Sequence, residues 1–189
     1  MEQAADMVLF QRIRQDDRLA LNALFALYYQ KLCRFACSCS LTHEQAEEVV
    51  SDVFFMIWKD RERIDIRLNV KAYLYKCVKH AALALIKKQQ LEVVLSEEHD
   101  QVDAETPEMH ILYRELHDQV QRAVDKLPAR CRQIFVMSRL DGLKYKEIAA
   151  VLAISEKTVE HQLAKALELV RYALQPKPEG ELHNSVTVS

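Results

Sequence analysis

Apolar residues along the chain recur with the period of α-helices, and the clearest case begins at His43. In HEQAEEVVSDVFFMIWKDRERI, the residues Ala46, Val49, Val50, Val53, Phe54, Ile57 and Trp58 follow the i, i+3, i+4, i+7 rule and define one buried face. At ~100° per residue Phe55 falls about 180° from Ala46, so it is expected to point outward beside Glu48 and Asp52. A single exposed apolar residue is ordinary on any protein surface, but an aromatic framed by acids also suits a partner.

The same period predicts a short helix from Met7 to Ile13, touching the core through Leu9, Phe10 and Ile13. A second runs from Leu19 to Cys37 with Leu24, Phe25, Tyr28, Leu32 and Phe35 on one side. A further helix in VKAYLYKCVKHAALALIKKQ, starting at Val70, turns Leu74, Cys77, Val78, Ala81, Leu85 and Tyr73 inward. Ile111 to Leu127 is again amphipathic, and Pro128 starts PARCRQIFVMSRL with proline in its favoured first turn.

Lys144 to Arg171, KYKEIAAVLAISEKTVEHQLAKALELVR, reads as two helices joined by a tight turn. Ile148, Ala149, Leu152, Val159, Leu163, Ala166, Leu167 and Val170 supply the buried stripe, and Ile154 plugs the turn. The outer face of the second helix carries Lys157, Thr158, Glu160, His161, Gln162 and Lys165, with Ser155 as its N-cap. Asp141-Gly142 stops the helix before the motif. A recognition helix needs both a stripe that anchors it and a stripe of hydrogen-bonding groups for the major groove. Any packed helical hairpin shows the first, so the rest of the chain must decide.

Only two glycines and four prolines punctuate 189 residues, which disfavours a turn-rich sheet protein and makes all-α the expected class. The net charge of -2 hides a strong segregation. From Ile66 to Gln90 the charges are Arg67, Lys71, Lys76, Lys79, Lys87 and Lys88, with no acid among them. Glu92, Glu97, Glu98, Asp100, Asp103, Glu105 and Glu108 follow with no Lys or Arg and read as a solvated linker. Lysines can neutralise phosphates, and Tyr73, Tyr75 and His80 offer rings on which unstacked bases can lie, although some of these must be core.

There is no basic start followed by an apolar core and cleavage site, and no run approaching the ~20 apolar residues of a membrane span, so a cytoplasmic protein without membrane insertion is expected. The five cysteines, Cys33, Cys37, Cys39, Cys77 and Cys131, are then expected to be thiols. Cys33, Cys37, Cys39 and His43 are the one grouping that hints at a metal, but no CxxC pair accompanies them and the segment reads as helical core. The seven histidines are scattered, and no Gly-rich phosphate loop or nucleophile beside a base stands out. No enzyme is expected, and neither a metal nor a cofactor.

AEEVVSDVFFMIW, then KAYLYKCVKHAALALIKK, then LPARCRQIFVMSRLDGLKYKEIAAVLAISEKTVEHQLAKAL, in that order, resemble bacterial RNA polymerase sigma factors of the extracytoplasmic-function subfamily, most nearly the branch common in Bacteroidetes. The resemblance covers nearly the whole chain apart from the extreme N-terminus, the linker and the tail. It implies two small helical domains: region 2 over residues 6–90 and region 4 over 110–175, with an acidic linker at 91–109 and a disordered tail at 176–189. It also implies three surfaces. Glu47, Glu48, Ser51, Asp52 and Phe55 would meet core RNA polymerase. Lys71, Lys76, Lys79, His80, Lys87 and Lys88, together with the loop from Ile64 to Val70, would hold the melted -10 element, where unstacking costs a few kcal/mol. Lys76, Lys79 and His80 are expected nearest the DNA. Ser155, Lys157, Thr158, Glu160, His161, Gln162 and Lys165 would read the duplex -35 element, Glu160 accepting from a cytosine amino group and Lys165 meeting phosphate. An anti-sigma factor is a further implied partner.

Four positions depart from the family pattern. His80 stands where many relatives have Asn, Ala84 where Asp is frequent, Lys144 in place of a Ser or Thr cap, and Ala153 in place of a turn Gly. Two other readings stay open at this point: a stand-alone helix-turn-helix regulator, and a helical metal or redox protein using Cys33, Cys37, Cys39 and His43.

Overall fold

A computed structural model describes residues 2–66, 69–95 and 119–175, and among them no strand occurs. A first bundle comprises α1 (Glu2–Arg14), α2 (Arg18–Ser38), α3 (His43–Lys59) and α4 (Val70–Leu95). The second begins with helical residues 119–125, here α5, followed by α6 (Ala129–Phe135), a π-helical turn at Val136–Leu140, α7 (Tyr145–Leu152) and α8 (Glu156–Leu174). The expected tail, the linker from residue 96 onward and the first part of the Ile111 to Leu127 helix lie outside the described residues. α1 and α4 both outrun their sequence-based limits, and α4 continues into the stretch expected to be linker.

Local chemistry sets the helix ends. Asp17 caps α2, its Oδ1 accepting from the amides of Leu19 (2.9 Å) and Ala20 (3.1 Å). The Ala20 amide, then Arg12, hold the Asp17 carboxyl below its ordinary range. Thr42 and Gln45 form a reciprocal capping box at α3, with bonds of 3.0 and 3.3 Å. Each cap satisfies amides that a helix start leaves without partners.

The first core is built from Ile13, Leu24, Leu32, Phe35, Val50, Val70, Leu74 and Tyr75, all fully buried. Burying each such side chain contributes about 1.5–3 kcal/mol. Phe25 meets Phe54 edge-on at 5.0 Å, and Phe35 tilts against Tyr75 at the same separation. The Tyr28 hydroxyl donates to buried Asp6 at 2.5 Å and ties α1 to α2. Trp58, expected in the core, is half buried, and the Arg61 guanidinium lies over its ring at 4.5 Å. In the second bundle Ile134, Met137, Ile148 and Leu163 are buried and continue the same core.

The inward stripe of α4 differs from expectation. Cys77, Ala81, Leu85 and Tyr73 are half buried, while Tyr75 and Ala82 are wholly buried beside Leu74 and Val78. The reason is that α4 is covered twice, by α2 and α3 on one side and by α7 on the other. The two bundles thus pack together, an arrangement the sequence left open.

Candidate nucleic-acid interface

On α3 the inner stripe is buried as predicted, and Glu47, Glu48, Ser51 and Asp52 are exposed. Phe55 is 64% exposed, and Met56 beside it is 51% exposed. Met56 was missed by sequence reasoning: it sits at the edge of the apolar arc, where periodicity alone does not separate core from rim. His43 Nδ1 lies 3.7 Å from Glu47 Oε1, one turn along the same face.

Along α4, Lys76, His80, Lys87 and Lys88 are exposed. Lys71 and Lys79 are not. Lys71 Nζ donates to the Asp141 carbonyl at 2.5 Å and Lys79 Nζ to the Val151 carbonyl at 3.1 Å, so both half-buried ammonium groups are engaged by the second bundle. Lys79, expected among the residues nearest the DNA, is thus covered by α7 in this structure. Burial, then the neighbouring Arg130 charge, lowers the Lys79 pKa. Between the start of α4 and α7 lies a cleft of about 620 Å³, lined in part by Asp65, Ile66, Tyr73, Lys76, Lys144 and Lys146. The loop from Ile64 to Val70 borders it, and residues 67–68 of that loop lie outside the described residues.

In the second bundle the polar face of α8 is open. Ser155, Lys157, Thr158, Glu160, His161 and Lys165 are exposed, and the Ser155 hydroxyl accepts from the Thr158 amide at 3.1 Å as the predicted cap. Gln162 is half buried and its Oε1 accepts from the Cys131 thiol at 3.1 Å, so one end of this amide is turned toward α6. Ala153 adopts φ 56°, ψ 51°, the left-handed geometry that glycine occupies at least cost. Lys144 lacks a side-chain acceptor, and Glu147 compensates by accepting from the Lys144 amide at 2.8 Å.

Sequence reasoning also missed the residues that join the bundles. Asp141, read only as a helix stop, is buried and its Oδ1 receives Arg34 Nη2 at 2.7 Å. Asn69 Nδ2 donates to Glu147 Oε1 at 2.5 Å. These partners are far apart along the chain, and no periodicity links them.

Among the described residues no three His, Cys, Asp or Glu side chains gather in a way that would hold a metal ion. Burial, chiefly, pushes the Cys33 and Cys39 thiols up to about 11. Also among the described residues, no helix is long and apolar enough to cross a membrane.

Comparison with known proteins places these surfaces in a family. Residues 24–92 match Sigma-70 region 2, and residues 117–170 match Sigma-70 region 4. The ECF RNA polymerase sigma-E factor of Escherichia coli (strain K12) is 26% identical over 93% of this chain and 97% of its own length. The chain belongs to the extracytoplasmic-function sigma factor family. The sigma-E factor of Haemophilus influenzae is 24% identical over 93% of this chain and 98% of its own. In fold, the sigma factor is similar to CnrH in complex with the cytosolic domain of CnrY, at TM-score 0.64 and 21% identity over 90% of this chain and 97% of that one. It is also similar to the sigma factor RpoE of Bartonella quintana in complex with the anti-sigma factor NepR, at TM-score 0.66 and 22% identity over 81% and 95%.

Proposed function

We propose that this sigma factor confers promoter choice on core RNA polymerase with three separate surfaces: α3 for the polymerase, α4 for the melted -10 element and α8 for the -35 duplex. The carrying observation is the exposed pair Phe55 and Met56, framed by Glu48, Ser51 and Asp52 on a helix whose opposite face is core. A stand-alone DNA reader has no use for such a surface. Exposed apolar side chains ringed by charge suit a protein partner, with Phe55 as its central anchor.

Lys71, Lys76, Lys79, His80, Lys87 and Lys88 neutralise the phosphates of the opened strand, and Lys157, Thr158, Glu160, His161, Gln162 and Lys165 face bases or phosphates of the duplex. Region 2 spans residues 6–90, region 4 spans 110–175, and an acidic linker joins them. The protein acts in the cytoplasm as an initiation factor that makes and breaks no bonds. Its place in the branch common in Bacteroidetes rests on the three sequence blocks. An anti-sigma partner is supported by the similarity to RpoE, which was solved bound to NepR.

Runoff transcription with purified core polymerase on a promoter library tests this. Selective transcripts that need both proteins are expected. Tight, sequence-specific duplex binding at physiological salt without core, and no selective transcript with it, would establish the stand-alone regulator instead.

A further inference from the structure

The two bundles share one continuous apolar core, and a set of polar contacts also crosses between them. The Asp141 side chain has no exposed surface, and Arg34, 39% exposed at the rim, is its ion-pair partner at 2.7 Å. The buried Tyr75 hydroxyl is the second neighbour of this carboxyl and, like Arg34, favours its charged form. A carboxylate removed from water needs its partner, because leaving it unpaired in the interior is costly. The ion-pair partner of this buried carboxylate is thus a guanidinium that water can reach.

The same interface takes up cations. Lys71 and Lys79 donate to backbone carbonyls of Asp141 and Val151. Such bonds have a neutral acceptor, and a phosphate would form stronger ones with the same ammonium groups. Meanwhile Lys157 and His161 on α8 stay exposed. We infer that the Arg34–Asp141 pair is a latch: it holds a closed, self-inhibited form in which region 4 occupies Lys71 and Lys79, and it must break before the -10 strand is bound. This rests on α4 being the -10 surface. The closed form leaves the -35 reader open and withholds Lys71 and Lys79 from the strand-holding surface, which weakens the grip of a free sigma factor on single strands.

The test uses the full chain. Arg34→Met keeps the aliphatic length and removes the charge, leaving Asp141 unpaired; adding Asp141→Asn removes the buried charge as well. Acetylation by an N-hydroxysuccinimide ester, read by mass spectrometry, should label Lys71 and Lys79 of the wild type several-fold more slowly than Lys87. Arg34→Met should bring them to parity, raise the radius of gyration in small-angle scattering, and tighten binding of a fluorescent single-stranded oligonucleotide pool several-fold. The double variant should return all three toward wild type. Equal labelling in the wild type overturns the latch even if Arg34→Met fails to fold, and so does a folded Arg34→Met that stays compact. Opening without any gain in strand binding removes the inhibitory role. Failure of runoff transcription by a wild type whose latch behaves as described would instead sink the -10 assignment.

Discussion

Phe55 stands in water on α3 while its neighbours Phe54 and Ile57 are buried, and that contrast makes it the most testable side chain in the protein. Phe55→Ala and Asp52→Lys remove contacts that exist only in a complex. Their melting temperatures should stay near wild type, since exposed substitutions usually shift stability by no more than about 0.5 kcal/mol. Pull-down of core polymerase should fall; unchanged pull-down would remove α3 as the docking helix. Phe55 was legible because a half-turn offset from the apolar stripe fixes its direction, whereas Met56 at the stripe's edge was not. The cysteines show the reverse case, in which burial decides chemistry that spacing only hints at. With Cys33 and Cys39 pushed up to about 11, both should resist iodoacetamide near neutral pH in the folded protein and react once it is denatured. Their raised values also mean that the stability they contribute is complete below the ordinary thiol value of 9.0 and is lost as pH climbs through about 11. A melting temperature that rises over that alkaline range would contradict the assignment.

At the scale of elements, the turn between α7 and α8 shows sequence and backbone in partial conflict. The helix-turn-helix, its Ser155 cap and its stripe of Val159, Leu163, Ala166 and Val170 were readable, because period and capping are local properties. The turn has an alanine at φ 56° where glycine would sit more easily, so Ala153→Gly should stabilise the protein by up to about 1 kcal/mol, measured by urea unfolding. Ser155→Ala should cost about 1 kcal/mol through the lost bond to Thr158. If Ala153→Gly destabilised instead, the left-handed turn would be wrong. Lys157→Ala combined with His161→Ala touches only exposed groups of α8, and is expected to abolish -35 selectivity in runoff transcription while sparing core binding. Unaltered promoter choice would exclude α8 as the reader. The π-helical turn at Val136–Leu140 had no sequence signature, since it differs from an α-turn by one residue of hydrogen-bond register. It leads into Asp141, whose amide donates to the Val136 carbonyl at 3.0 Å, and so delivers that carboxylate to the bundle interface.

For the whole molecule, the decisive contacts join residues that local pattern cannot pair, which is why two domains were legible and their packing was not. The lysines proposed for the -10 strand show the consequence: in sequence they form a basic run without acids, and in the fold Lys71 and Lys79 are drawn into the interface. Asp141 then sets how closure responds to pH. Burial raises its pKa above the ordinary 3.8 and outweighs the opposing pull of Arg34, Tyr75 and Lys71, which are the groups acting on it. The closed form therefore binds a proton more readily than an open form with Asp141 in water. Its stabilisation from this group is complete below 3.8 and is lost as pH rises through the raised value. In Arg34→Met, where no guanidinium offsets the ionised carboxylate, small-angle scattering should show the protein opening as pH rises out of the acidic range, with the slope removed by adding Asp141→Asn, whose amide is neutral at every pH. Opening on acidification, or a slope that survives the addition of Asp141→Asn, would mean that another group governs closure.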